Sequence, residues 1–293
     1  MTTTYLHRLA ARSAATGTVL CLGIDPDPES LPDGFSRDIV GLEAFARLLV
    51  EAAAPFAAAV KPNLAFFEAF GAAGLAAFER VRAVVPSGVP VVIDAKRGDI
   101  GTTSARHAAA LYDALGADAI TLSPYLGEEA IGPLLERLDR LAYVLCRTSN
   151  PGAGELQDQL VAATGGAPAE PLYARVARRA AGWGPGGTVG LVVGATAPDE
   201  LRAIRAIAPG LAFLVPGVGA QGGEVGAVLE AGPATAAPAG SGPGGGLLVS
   251  VSRGIASAAT PALERRRGAP VLDLGERLAE SARSWGARLP VLP

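Results

Sequence analysis

The sequence predicts an α/β protein folded as a single (β/α)8 TIM barrel over residues 1–293, and three observations carry that expectation. Short apolar runs alternate eight times with longer helical patterns, the chain is long enough for one such barrel, and polar residues recur where the apolar runs end. The runs read as strands are 18–24, 57–62, 89–96, 119–122, 142–147, 189–193, 212–216 and 247–251. Helices are expected at 41–54, 65–85, 104–115, 128–138, 171–182 and 198–208, with an N-terminal helix and a C-terminal helical tail packed on the barrel. Asp25, Lys61, Lys96, Ser123, Ser149, Pro216 and Arg253 end or follow strands. An open doubly wound sheet shares this periodicity, but strand ends that carry the polar residues fit a closed barrel, where they converge on one mouth.

Composition narrows the function classes. Hydrophobic residues make up 49% of the chain and charged residues 18%, which predicts a large buried core. Charge, Gly or Pro interrupts every apolar stretch before it reaches the ~18 residues of a membrane span. The N-terminus, MTTTYLHRLAARSAA, has no continuous apolar segment with a cleavage site, so a cytoplasmic protein is expected. A formal charge of −3 gives no footprint for DNA or RNA. Cys21 and Cys146 lie in strand-like runs as small hydrophobes, not as a disulfide. His7 and His107 offer little material for a zinc site or a Ser/His/Asp triad. Segments 152–170, 231–246 and 265–267 read as loops or a solvated face, and 241–246 lacks the Lys-Ser/Thr of a phosphate-binding P-loop.

Of the 25 basic residues 23 are arginine, and lysine stands only at 61 and 96. An ammonium can act as a general acid and a guanidinium cannot readily do so, so chemistry can demand lysine where solubility does not. The run Val91-Val-Ile-Asp-Ala-Lys-Arg-Gly-Asp-Ile-Gly-Thr-Thr-Ser104 is the strongest signal. Strand alternation places Asp94 and Lys96 on one side, the barrel interior, where a structural protein would favour apolar residues. Gly98 and Gly101 are expected to supply a tight turn that brings Asp99 to the rim. Asp25 and Lys61 end the two preceding strands, and with Asp94 and Lys96 they can form an array of alternating charge. Asp27 reads as a loop carboxylate.

Asp25, Lys61 and the 94–100 run resemble the Asp…Lys…Asp-x-Lys-x-x-Asp signature of the orotidine 5'-phosphate decarboxylases. The strings FFEAFG, SPYLG, TSNPG, VVGAT, PGVGAQGG and SRG are similar to the longer bacterial branch of that family, in order from about residue 23 to 254. The resemblance implies a cofactor-free enzyme that expels carbon dioxide from orotidine 5'-phosphate to make UMP. It implies that Lys96 protonates the C6 carbanion, that Lys61 holds Asp94 and the ribose, and that Asp25 lies on the ribose side. It further implies a homodimer in which Asp99 and Thr103 reach the neighbouring barrel's mouth, and it counts Ile100 among the substrate-binding residues. Ser123 is expected to bind substrate and Ser149 to read the pyrimidine edge, with Pro216, Gly217, Arg253 and Gly254 handling the phosphate and Gln221 linking phosphate to base; Gly217 and Gly219 would permit close backbone approach. The rivals are a magnesium-dependent sugar-phosphate lyase on the same barrel, a Schiff-base aldolase, whose lysine must be neutral, and a non-catalytic phosphate-binding barrel.

Overall fold

In the computed structural model, which describes residues 3–219, 222–259 and 273–292, the apolar runs form eight parallel strands. They are β1 (Leu20–Ile24), β2 (Ala59–Pro62), β3 (Val92–Arg97), β4 (Ala119–Leu122), β5 (Leu141–Arg147), β6 (Val189–Val193), β7 (Ala212–Pro216) and β8 (Leu248–Val251). Their neighbour order is β2-β1-β8-β7-β6-β5-β4-β3. Bridges between Val60 and Val91 and between Asn63 and Asp94 close the ring, with the Val60 N–H donating to Pro90 O at 3.0 Å. The expected barrel is therefore the fold.

Alternation along the strands sorts the side chains into two sets. Leu20, Leu22, Val60, Ile93 and Val144 face outward onto helix residues such as Leu42, Phe78, Leu134 and Leu201, all buried in one cluster. The inward set splits along the barrel axis. Near the strand starts it is apolar: Cys21, Ala59, Val92, Ala119, Tyr143 and Leu248 pack with Tyr5 and Leu9 of the helix Tyr5–Thr16, which plugs this end. Tyr5 and Tyr143 share a buried hydroxyl–hydroxyl hydrogen bond of 3.1 Å. Burial pushes the Cys21 thiol up to about 12, and both cysteines are free. Toward the strand ends the inward positions of β2, β3, β4 and β8 turn polar, with Lys61, Asp94, Thr121 and Ser250, so the polar side chains gather at one mouth.

Several helices depart from expectation for identifiable reasons. The pattern at 65–85 divides into Ala65–Glu68 and Gly71–Ala83, because Gly71 takes φ 57° and turns the chain between them. The helix expected at 104–115 starts earlier, at Gly101, and widens after Ala108 into a π-helical turn, Ala109–Ala114. The helix expected at 128–138 ends at Leu135. Segment 152–170 is not all loop: it contains the short helix Gly154–Gln157 and the strand Leu160–Val161, which pairs antiparallel with Glu170–Pro171 where the segment ends. Glu170 is pinned there by Arg175 at 2.7 Å and Arg178 at 2.9 Å. The Gly/Ala/Pro-rich stretch at 231–246 forms short 3-10 turns, tied down by the buried Arg205, which stacks 3.5 Å from the Phe213 ring centroid and donates to Gly232 O. The helix Leu274–Arg288 starts in a capping box made by Asp273 and Glu276. Residues 265–267 lie outside the described residues.

Candidate active site

The mouth is built around one carboxylate. β2 turns Lys61 inward between the outward-facing Val60 and Pro62, leaving its side chain 7% exposed. Its Nζ donates to Asp94 Oδ2 at 2.8 Å. Lys96 Nζ donates to Asp94 Oδ1 at 2.6 Å, and the Thr121 hydroxyl lies 2.8 Å from the same oxygen. Burial alone would lower the pKa of Lys61, but the charges of Asp94 and Asp25 and the hydrogen bond to Asp94 outweigh it and raise the value. Burial alone would raise the pKa of Asp94; the two ammonium groups overcome it and hold the carboxyl well below the usual range. Both partners of the buried pair thus stay charged. Lys96, unlike Lys61, is half exposed, so its ammonium is presented to the cavity.

That cavity, about 520 Å³, has a charged wall and an apolar floor. Asp25, Lys61, Asp94 and Lys96 form the wall; Leu145, Val192 and Leu214, the inward residues of β5, β6 and β7, form the floor. Asp25 Oδ1 is buried and accepts no hydrogen bond among the described residues. Ser149, Pro216, Gly217, Arg253 and Gly254 line the remaining side. Gly194 lets the loop after β5 close in, since a Cβ there would stand 2.8 Å from the Ser149 backbone nitrogen. Gly217 and Gly219 take φ 100° and 81°, a region that favours glycine. Arg253 is exposed at the rim of this cavity.

Other expected residues lie elsewhere. Ser123 does not line the cavity; its N–H donates to Arg97 O at 2.8 Å, bracing the end of β3 against β4. Asp99, Ile100 and Thr103 also stand outside the cavity of their own chain: Asp99 Oδ1 accepts from the Ile100 N–H at 2.7 Å, and the Ile100 side chain is exposed. Gly98 and Gly101, expected to supply the tight turn, take no positive φ, whereas Lys96, within β3, takes φ 47°; Gly98 is needed because a Cβ would meet Ser123 O at 2.8 Å, and Gly101 starts a helix. Asp27 caps the 3-10 turn Pro28–Ser30, as a loop carboxylate would. Gln221 lies outside the described residues.

The structure also adds residues that sequence reasoning missed. Thr121 follows Ala119 on the inward face of β4, so alternation could have flagged it. Gln157 returns from the 152–170 segment to the cavity, where its Oε1 accepts from the Thr148 N–H at 2.8 Å. Trp285, in the C-terminal helix, donates from Nε1 to Gly254 O at 3.1 Å, and a Cβ on either Gly219 or Gly254 would fall 2.9 Å from its ring. Neither Gln157 nor Trp285 sits in a stretch with any chemical signature.

A closed parallel barrel with a paired Lys-Asp-Lys cluster facing a cavity at its strand ends has the layout of a barrel enzyme, and comparison with known proteins narrows the class. The family model described as Orotidine 5'-phosphate decarboxylase / HUMPS family matches residues 18–267. An orotidine 5'-phosphate decarboxylase of Thermomicrobium roseum is 45% identical over 287 residues, covering 97% of this chain and 93% of that protein. That of Roseiflexus castenholzii is 47% identical over 237 residues, covering 80% and 82%. Among solved structures, Leishmania donovani OMP decarboxylase superposes with TM-score 0.77 at 37% identity, covering 97% of this chain and 96% of its own. A putative orotidine-monophosphate decarboxylase from Toxoplasma gondii gives TM-score 0.81 at 34% identity, covering 98% and 94%. The chain belongs to the orotidine 5'-phosphate decarboxylase / HUMPS family.

Asp94→Ala leaves Lys61 buried without the carboxylate it is hydrogen-bonded to, and breaking a buried pair in this way costs about 3–5 kcal/mol. Because the folded-state pKa of Asp94 is depressed, its contribution is present above the unfolded value of about 3.9 and is lost as pH falls through the folded one. The raised pKa of Lys61 makes its contribution persist below the unfolded value of about 10.4 and vanish as pH rises through the folded one. Denaturant unfolding should therefore show a parent-minus-variant difference that is constant from about pH 5 to 9 and shrinks below about pH 4. A difference that grows on acidification would contradict the assigned charges.

Proposed function

We propose that this chain decarboxylates orotidine 5'-phosphate to UMP in de novo pyrimidine synthesis, with Lys96 as the proton donor. The observation that carries the proposal is the half-exposed Lys96 ammonium, held 2.6 Å from the largely buried Asp94 carboxylate at the edge of the cavity. The bond from C6 to the substrate carboxyl carbon breaks, its electron pair stays on C6, and carbon dioxide leaves. A proton passes from Lys96 Nζ to C6, and the neutral amine regains a proton from solvent. Lys96 starts charged beside Asp94, so its positive charge is already in place where negative charge develops, without solvent reorganisation at the moment of reaction. A Schiff-base role needs a neutral lysine, which Asp94 opposes.

The remaining roles follow the chemistry of the cavity wall. Asp25 Oδ1, buried without a donor among the described residues, accepts from a ribose hydroxyl, and Lys61 fixes Asp94 from below. Arg253 offers its guanidinium fork to the phosphate, with the backbone of Gly217 and Gly254 close by, and Gln221 links phosphate to base. Ser149 meets the pyrimidine edge, which lies over the apolar floor. No cofactor is required in this scheme. No helix among the described residues is long and apolar enough to cross a membrane, and a cytoplasmic address completes the proposal.

Following the ultraviolet absorbance of orotidine 5'-phosphate with purified protein in EDTA tests the assignment. Turnover is expected to be undiminished by the chelator in the parent and absent in Lys96→Arg, which keeps the charge but is a poor acid of different shape. A requirement for a divalent cation would point to the lyase rival, and tight UMP binding without turnover to a non-catalytic barrel.

The active unit in this proposal is a homodimer with shared sites. Asp99 and Thr103 stand outside their own cavity, on the turn and first helical turn after β3, and reach the neighbouring mouth. Two-fold symmetry makes the exchange reciprocal. Mixing inactive Lys96→Ala with inactive Asp99→Ala protein should restore activity, because each heterodimer holds one intact site and one with both defects. After free exchange about a quarter of the sites are intact, which sets the expected recovery. Complete subunit exchange with no recovered turnover would return Asp99 to its own subunit.

A further inference from the structure

Lys96 is the one residue other than glycine, among the described residues, with a positive φ, 47°. The left-handed region costs a side-chain-bearing residue roughly 1–2 kcal/mol, so neighbouring interactions must hold it there. The cause lies in the pairing of β3 with β4. The two strands run in register at Val92/Ala119 and Ile93/Ile120, and their next pair is Arg97/Leu122. Asp94, Ala95 and Lys96 therefore stand opposite a single residue of β4, Thr121. Such a bulge withdraws backbone groups from the ladder, and buried N–H groups need other acceptors.

Thr121 supplies one. Its Oγ1 accepts from the Ala95 N–H at 3.1 Å and from the Lys96 N–H at 2.9 Å. A hydroxyl has two acceptor lone pairs and one proton. With both lone pairs filled by donors, the proton is left for Asp94 Oδ1 at 2.8 Å, and a carboxylate flanked by two ammonium groups can only accept it. One side chain, 2% exposed, thus fixes the backbone of Lys96 and the carboxylate that its Nζ meets.

We infer that Thr121 is a positioning residue for proton transfer, acting through the backbone of Lys96 and the carboxylate of Asp94 rather than on substrate. The inference rests on the decarboxylase proposal for its kinetic assay but not for its structural one. Thr121→Val keeps the shape and removes the hydroxyl; Thr121→Ser keeps the hydroxyl. Because small misplacements of reacting groups cost about 100-fold in rate, Thr121→Val should lose about that much kcat while KM and UMP affinity stay within about threefold. Thr121→Ser should keep kcat within about threefold of the parent. If the valine variant does not fold, Thr121→Cys, of similar size with a weakly accepting thiol, takes its place against serine. Valine or cysteine turning over like the parent, serine failing equally, or a loss seen as strongly in UMP affinity would overturn the inference. A crystal structure of the same variant gives a second readout: Lys96 should leave positive φ and its Nζ should separate from Asp94, and an unchanged Lys96 would overturn it. Failure of the decarboxylase proposal appears in the parent enzyme as absent turnover, whereas failure of this inference appears only in the variants.

Discussion

Asp94 has to satisfy two ammonium groups at once, one buried and one presented to the cavity. Taking these charges out of water costs several kcal/mol per ion, and their mutual attraction offsets that only if every lone pair has a partner. Oδ2 receives Lys61, and Oδ1 receives Lys96 and Thr121. Much of the mouth follows from that requirement: β2 must turn its lysine inward, β3 must bulge, and β4 must carry a small hydroxyl opposite the bulge. The ring closes beside the cluster, where Asn63 bridges Asp94.

The rest of the barrel separates stability from chemistry along its axis. The strand starts are sealed by Tyr5 and Leu9 over apolar inward side chains, which leaves the strand ends free to carry charge. Peripheral segments then shape the cavity from outside. The 152–170 segment, anchored through Glu170, returns Gln157 to the loop that holds Ser149. The C-terminal helix places Trp285 against Gly219 and Gly254, joining the chain's last helix to both loops of the proposed phosphate site.

What the sequence reveals, and what it hides, follows from the range of each interaction. Periodicity finds all eight strands because a period of two and β-branched composition are local properties. Retained lysines in an arginine-rich chain expose Lys61 and Lys96, and strand ends expose Asp25, Asp94 and Arg253. Alternation correctly joins Asp94 with Lys96, yet they meet through a bulge and a left-handed lysine, which only the β3–β4 register dictates. Gly98 and Gly101, expected to turn the chain, take no positive φ, and the left-handed residue is Lys96 for the same reason. Ser123, drawn toward the site by its position after β4, instead ties two strand ends together. Gln157 and Trp285 act through contacts distant in sequence and carry no local signature.

The central claim is that an ammonium at position 96, beside Asp94, performs the protonation. Lys96→Cys followed by aminoethylation tests it most directly, because alkylation rebuilds an ammonium of nearly lysine length. The half-exposed position is open to reagent, whereas Cys21 and Cys146 are buried and burial raises both thiol pKa values. The cysteine variant is expected to be inactive, and complete alkylation, confirmed by mass, to restore decarboxylation. An active unmodified variant, or full modification at position 96 with no recovered turnover, would contradict the account.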